Sequence, residues 1–181
     1  MSCTRCQRLE DEVARLSVDA LTGLSGRGVF DRALETEFAR ACRFNREIGL
    51  VMIDVDHFKS VNDDHGHVRG DEVLRTIAGR VQAYVRTCDV IARYGGEEFV
   101  ILTDGATLVG LEVISERVRM AVCDKPIDKI RATISVGFAV QIPSDVTGLD
   151  VLKRADSALY RAKNNGRNCV EGCDSAEPPR K

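Results

Sequence analysis

The stretch Ile91-Ala-Arg-Tyr-Gly-Gly-Glu-Glu-Phe-Val-Ile-Leu102 decides how the rest of the chain is read. Two β-type runs, Val90 to Tyr94 and Phe99 to Leu102, flank Gly95-Gly96-Glu97-Glu98. A glycine pair between such runs predicts a tight hairpin, because glycine tolerates the positive φ angles of primed turns. Two adjacent carboxylates at its tip repel each other and call for a facing cation, with a divalent metal as the leading candidate. Taken alone, the stretch reads better as a solvated acidic turn.

A second run, Ile48-Gly-Leu-Val-Met-Ile-Asp-Val55, is apolar nearly throughout and predicts a buried strand. Asp54 and Asp56 sit at its exit, before His57-Phe58-Lys59-Ser60-Val61-Asn62. A carboxylate leaving a central strand beside a glutamate on a neighbouring hairpin is how an open Mg²⁺ site is built. Such an ion takes one or two carboxylates and leaves room for substrate phosphates. Asp54 and Asp56 share a strand face, and because the chain turns after Val55, Asp54 is the firmer ligand.

Asp54-x-Asp-x-Phe-Lys-x-x-Asn62, His65-Gly-His67, Gly70-Asp71 and Arg93-Tyr-Gly-Gly-Glu-Glu-Phe99, in that order, resemble the GGDEF family of bacterial diguanylate cyclases. Ala155-Asp-Ser-Ala-Leu-Tyr-Arg-Ala-Lys163 and Gly166-Arg-Asn168 are similar to that family's closing helix and turn. The likeness begins near Asp19-Ala-Leu-Thr-Gly-Leu24 and covers about 150 residues, the size of one ordinary domain. Gly26 and Gly28 depart from the Asn and Arg usual in the family, which puts a turn and a salt bridge in question but not the chemistry.

The chain's 181 residues, 44% of them hydrophobic, suffice for one domain with a proper core. The net charge of −2 gives none of the basic excess that marks binders of nucleic-acid polymers or anionic membranes. No apolar run approaches spanning length, and the first residues lack a signal-peptide core. Seven cysteines, an odd number in no framework pattern, predict a reducing cytoplasmic setting.

Residues 1–18 read as a separate helical stalk. Leu9, Val13, Leu16 and Ala20 recur at four- and three-residue spacing, so they form either a short coiled-coil seam or one face of a lone amphipathic helix. The family likeness favours the dimerising stalk. Cys3-x-x-Cys6 has the spacing of half a metal knuckle, but two ordinary thiols on a frayed terminus are the simpler reading. The catalytic domain is expected over residues 19–171 and a loose tail over 172–181.

Within the domain the pattern predicts helices from Arg27 to Phe44, Gly70 to Arg86, Thr107 to Cys123 and Gly148 to Asn164. Strands are expected from Ile130 to Val140 and from Asn168 to Val170, besides the first run and the hairpin. This mixture predicts an α+β fold with a mixed, mainly antiparallel sheet wrapped by helices. The family's fold, related to nucleotide cyclases and the polymerase palm, agrees.

The resemblance implies that two GTP molecules are condensed into cyclic di-GMP with release of two pyrophosphates. It assigns the metal, Mg²⁺ or alternatively Mn²⁺, to Asp54, Glu97 and the Val55 carbonyl. Glu97 also helps deprotonate the attacking hydroxyl, Glu98 is a supporting acid, and Lys59 stabilises the leaving pyrophosphate. Phe58 and His67 fall at substrate-side positions, and Lys163 and Arg167 at phosphate contacts. Alone, Lys59 reads as a solvated helix-start lysine, and Lys163 and Arg167 as helix C-terminal cations. Guanine presents N1–H and N2–H together, and a carboxylate accepts both. Asp71 occupies the position that reads this edge, with Asn62 as a second polar contact. Arg86-Thr-Cys-Asp89 resembles the product-binding inhibitory site, with Arg117 as a contributing arginine; a surface ion pair is the plain alternative.

One site holds one GTP and the product contains two, so a homodimer is expected. Three functions follow from these residues: an active cyclase, a module that only senses cyclic di-GMP, and a GTP-binding domain without turnover. Intact Gly95, Gly96, Glu97, Glu98, Asp54 and Lys59 favour the first. Because no sensor sequence precedes the stalk, input is expected from an upstream sensor partner or from a longer protein.

Overall fold

The computed structural model describes residues 18–173. The stalk residues before Val18, Cys3 and Cys6 among them, and the tail after Cys173 lie outside the described residues. Six strands form one sheet: β1 (Ser25–Gly26), β2 (Ile48–Val55), β3 (Val90–Arg93), β4 (Glu98–Asp104), β5 (Ile134–Val140) and β6 (Val170–Cys173). Their spatial order is β1-β3-β4-β2-β5-β6. The three central pairings, β3 with β4, β4 with β2 and β2 with β5, are antiparallel, and only the edges β1 and β6 pair in parallel. The helices are α1 (Arg27–Phe44), α2 (Phe58–His65), α3 (His67–Gln82), α4 (Leu108–Cys123) and α5 (Gly148–Asn164). The expected mixed, mainly antiparallel architecture is the one observed.

Strand β2 is buried along all eight residues because both faces of the sheet are covered. Val51, Ile53 and Val55 point into a core shared with α2, α3 and α4, where Phe58, Leu74, Ile77 and Val118 meet them. Ile48, Leu50 and Met52 point the other way, onto α1 and α5. On α1 the predicted apolar face is the buried one, formed by Phe30, Leu34, Phe38 and Ala41. Burying each of the two phenylalanines and the leucine contributes roughly 1.5–3 kcal/mol. A Cβ on Gly137 of β5 would lie 2.0 Å from the Leu159 backbone nitrogen, so α5 rests directly on the strand.

Several boundaries move. Helix α3 begins at His67 and ends at Gln82, short of Arg86, and the helix start read at Lys59 belongs to a separate short helix, α2. Helix α4 starts at Leu108, one residue after its cap Thr107, whose hydroxyl accepts the Gly110 N–H at 3.1 Å. Strand β5 starts at Ile134, because Ile127 and Ile130 instead close an isolated bridge. Strand β4 starts at Glu98 and runs on to Asp104. The last strand runs from Val170 to Cys173, not from Asn168, since Arg167 and Asn168 have φ of 64° and 45° and belong to a turn. Gly172 and Cys173 are therefore part of the sheet, not of the tail.

The hairpin also differs. Gly95 and Gly96 do not adopt positive φ. Arg93 pairs with Phe99 across a wider loop, closed by Tyr94 and Gly95 N–H groups that both donate to the Glu98 carbonyl at 2.8 and 3.3 Å. A Cβ on Gly95 would lie 2.5 Å from the Glu98 carboxylate, so a side chain there would displace that carboxylate from its present position.

Candidate active site

The site lies at one end of the sheet, where β2 exits beside the β3–β4 loop. The Val55 N–H donates to the Glu97 carbonyl at 3.2 Å, which ties the two acidic segments together. Register pairs Asp54 with Glu98, and antiparallel partners share a face, so these two carboxylates point to the α1/α5 side. Glu97 instead borders an open groove of about 380 Å³ on the other side, together with Lys59, Asn62, His67 and Asp71. Phe58 also lines it, although this ring is only 9% exposed and packs chiefly in the core. The metal-side and base-side residues expected from the sequence are thus brought to one end of the sheet.

Asp54 is the pivotal acid. Its carboxyl titrates above the ordinary range, chiefly because it is buried and also because Glu97 and Glu98 repel its charge. The opposing influence is Lys163, whose Nζ lies 2.7 Å from Asp54 Oδ2. Lys163, expected at a phosphate, here pairs with the acid expected to be the metal ligand. Three acids sharing one field fit a divalent cation: it would relieve a repulsion that a single half-buried ammonium only partly offsets. Asp54, Glu97 and the Val55 carbonyl are two carboxylates and a backbone oxygen. Among the described residues no three His, Cys, Asp or Glu side chains form a ready-made metal cage. Two carboxylates and a backbone oxygen are a hard-oxygen donor set of the kind a divalent cation takes.

Asp56 does not share this role. It is buried, and its oxygens accept from the Ser135 hydroxyl at 2.6 Å, the Thr133 hydroxyl at 2.7 Å and the Asn168 N–H at 3.0 Å. Helix α2 begins after His57, which has φ of 54°, and no side chain caps its first N–H groups. An uncapped helix N-terminus carrying Lys59 at the groove can receive an anion. On the base side, Gly70 makes room for Asn62: a Cβ there would lie 1.9 Å from Asn62 Oδ1. Asp71 and Asn62 are therefore set by close packing of α2 on α3.

Arg93 braces the hairpin. Its Nη1 donates to both Asp19 oxygens at 3.1 and 3.2 Å, and its Nε and Nη2 hold the Gly96 carbonyl at 3.1 and 2.6 Å. Asp19 also accepts from the Thr22 N–H and hydroxyl at 2.8 and 2.7 Å, so the Asp19–Leu24 turn is locked without the usual Asn at 26. Arg27 lies 4.4 Å from the centre of the Tyr94 ring, close enough for a cation–π contact. Sequence reading had marked Arg93 only as part of the motif. Its bracing role needs a partner 74 positions away, which no local pattern signals.

Arg167 is exposed on the α5–β6 turn and is not among the groove residues. Arg86 and Asp89 lie away from the groove, beside a shallow pocket of about 70 Å³ near the start of α4. Asp89 accepts the Arg86 backbone N–H at 3.3 Å, which leaves the Arg86 side chain exposed. Burial raises the Asp89 pKa, and the Arg86 N–H and charge pull against it. Arg117 is exposed further along α4, outside the residues that line this pocket.

A mixed sheet with acids at one end of its central pair, beside a polar groove, defines the fold and site of a nucleotide cyclase-like domain. Residues 16–169 match the family model "Diguanylate cyclase, GGDEF domain", and the chain belongs to this family. It is 41% identical over 167 residues to the diguanylate cyclase DgcP of Pseudomonas aeruginosa, covering 90% of this chain and 25% of that protein. It is 39% identical over 160 residues to the response regulator PleD of Caulobacter vibrioides, covering 85% of this chain and 35% of PleD. Thus the chain spans well under half of these relatives. Among solved structures, the coiled coil and GGDEF domain of DgcB from Caulobacter crescentus, in complex with c-di-GMP, matches with a TM-score of 0.86 and 32% identity. That match covers 93% of this chain and 94% of the other. The active GGEEF domain of a Vibrio cholerae diguanylate cyclase matches with a TM-score of 0.80 and 31% identity over 82% of this chain and 97% of its own.

Proposed function

We propose that this chain is a diguanylate cyclase that condenses two GTP into cyclic di-GMP. The observation that carries this reading is the Val55–Glu97 backbone bond, which joins Glu97, at the edge of a groove lined by Lys59, Asn62 and Asp71, to the strand end that carries Asp54. Asp71 accepts guanine N1–H and N2–H, and Asn62 adds a polar contact to the base. Lys59, the α2 N-terminus, Lys163 and Arg167 hold the phosphates. His67 and Phe58 flank the groove.

In the reaction, the 3′-oxygen of one GTP forms a bond to the α-phosphorus of the other, and the bond to the pyrophosphate oxygen breaks. Two such steps close the ring and release two pyrophosphates. Glu97 accepts the hydroxyl proton, with Glu98 as a supporting acid. Lys59 stabilises charge gathering on the leaving group. Asp54, Glu97 and the Val55 carbonyl would hold Mg²⁺ or Mn²⁺, which would supply charge neutralisation and lower the pKa of the attacking hydroxyl.

Each site holds one nucleotide, so two domains meet face to face as a homodimer, with the stalk before Val18 setting how often they meet. Similarity to a structure that includes a coiled coil supports that stalk. Arg86, Asp89 and Arg117 form the product-binding inhibitory site. Cyclic di-GMP complexes among the similar structures support a ligand of this kind. An upstream partner supplies the input, as the similarity to SiaD, solved with its activator SiaC, suggests by analogy. Among the described residues no helix is long and apolar enough to cross a membrane. The proposed use of GTP supports a cytoplasmic location.

The test is incubation of the purified chain with GTP and Mg²⁺ at several protein concentrations, with products identified by mass. Cyclic di-GMP and pyrophosphate are expected, at a specific rate that rises with concentration and is lost in Glu97→Ala. Unchanged or merely hydrolysed GTP overturns the proposal.

A further inference from the structure

The α5–β6 turn is the most constrained backbone near the site. Gly166, Arg167 and Asn168 have φ of 105°, 64° and 45° in succession. Two of the three are non-glycine residues in the left-handed region, so surrounding contacts must hold them there. Those contacts come from residues that the proposed chemistry leaves unused. Asp56 accepts the Asn168 backbone N–H at 3.0 Å, across 112 positions of sequence. Arg119 of α4 donates to Asn168 Oδ1 at 2.7 Å while Glu116 grips the same guanidinium at 2.7 and 2.9 Å. The Arg167 N–H returns to the Ala162 carbonyl at 3.1 Å.

Asp56 is itself anchored from beneath. The hydroxyls of Thr133 and Ser135 orient its two oxygens, and its own N–H donates to the Thr133 carbonyl at 2.9 Å. A buried carboxylate that accepts three hydrogen bonds is held in place firmly, because each donor would otherwise lose its partner in a water-poor setting. This carboxylate stands two residues after Asp54 in the same strand exit. It therefore links the end of β2 that carries the metal-side acid to the turn that carries Arg167. The same turn ends α5, whose Lys163 meets Asp54.

We infer that Asp56 is a positioning residue: its hydrogen bond to the Asn168 N–H, with Arg119 on the Asn168 side chain, fixes the turn that presents Arg167 to the nucleotide phosphates. Asp56 touches neither metal nor substrate and acts through Arg167. The inference rests on the phosphate role proposed above for Arg167. An asparagine at 56 keeps the shape but carries no charge, so the charge-assisted bond to the Asn168 N–H weakens and the turn loosens.

The experiment is a double-mutant cycle on the full chain, with binding of α,β-methylene-GTP in the presence of Mg²⁺ measured by calorimetry. Asp56→Asn and Arg167→Ala are each expected to weaken binding by about tenfold, the size of one charge-assisted phosphate contact. The double variant is expected to bind within about twofold of Arg167→Ala, because removing Arg167 leaves the positioning with nothing to act on. Full additivity, or wild-type binding by Asp56→Asn, overturns the inference. Thr133→Val removes one orienting hydroxyl at nearly constant volume. It serves as the milder variant if Asp56→Asn does not fold, with the same non-additivity expected and the same additive result against it. Absence of cyclic product from a wild type that binds the analogue sinks the cyclase reading alone; unaltered binding in Asp56→Asn sinks only this inference.

Discussion

The Lys163 ammonium sits 2.7 Å from the Asp54 carboxylate, so the charge of the proposed metal ligand is met by a residue of the closing helix. An incoming divalent cation must share or displace that ammonium, which is then free to turn to a phosphate. Replacing Lys163 by Met is therefore expected to act in two opposite directions. Nucleotide-free binding of Mn²⁺, followed by calorimetry, strengthens because a neighbouring positive charge is gone. The KM for GTP rises by about tenfold, since a charge-assisted contact contributes roughly 1.5–3 kcal/mol. Changes of the same sign in both would contradict the sharing.

The acidity of Asp54 gives a pH test. Its folded pKa stands above the ordinary 3.8, with burial as the main cause. Between those two values the folded protein holds more protons than the unfolded chain, so metal-free stability falls as pH rises through that window. Above it, the ionised acid remains a net cost. Metal-free Asp54→Asn is thus expected to melt at a higher temperature than wild type at neutral pH. Metal affinity of the wild type falls as pH drops through the raised pKa. A lower melting temperature for the variant would show that the Lys163 pair outweighs the burial.

Arg93 joins the Asp19 turn to the hairpin. Both partners are largely shielded, with 17% and 23% of their side chains exposed. Burial pushes the Asp19 pKa up, but Thr22 hydrogen bonds and the Arg93 charge outweigh it and hold the group below 3.8. The stabilisation is therefore present above the unfolded value and is lost as pH falls through the lower folded one. Arg93→Lys keeps the charge but cannot hold Asp19 and Gly96 together, and is expected to lower unfolding stability by about 1–3 kcal/mol in denaturant melts. It also slows turnover, because Gly96 adjoins Glu97.

Base choice is expected to depend on Asp71. Serine offers no pair of acceptors to the guanine edge, so Asp71→Ser admits ATP and yields products that contain AMP. Competition of GTP and ATP, read by mass, measures the change; undiminished GTP selectivity would remove Asp71 from this role.

Product control is expected to depend on Arg86, whose side chain is exposed while its backbone is tied to Asp89. In Arg86→Ala, added cyclic di-GMP no longer slows the reaction, and inhibition constants rise by about tenfold or more, as for loss of a forked phosphate contact. An inhibition curve that superimposes on the wild type would reject the site.

The residues themselves determined a great deal. The apolar run of β2, the 3.6-residue spacing of Phe30, Leu34 and Phe38, and the acids beside Gly95 and Gly96 gave the elements, the fold class and the acidic centre. These properties are local: they depend on side-chain type and period, both written in the chain. The structure alone decided which charges meet. The pairing of Lys163 with Asp54, the engagement of Asp56 by Thr133, Ser135 and Asn168, and the bracing of Asp19 by Arg93 join positions far apart in sequence. A cation four residues from a turn looks the same in sequence whether it faces water, a phosphate or a carboxylate. Only the packing of α5 on β5 and the turn at Gly166 settle its partner, because hydrogen bonds and Coulomb interactions depend on distances of a few ångströms that spacing along the chain does not encode.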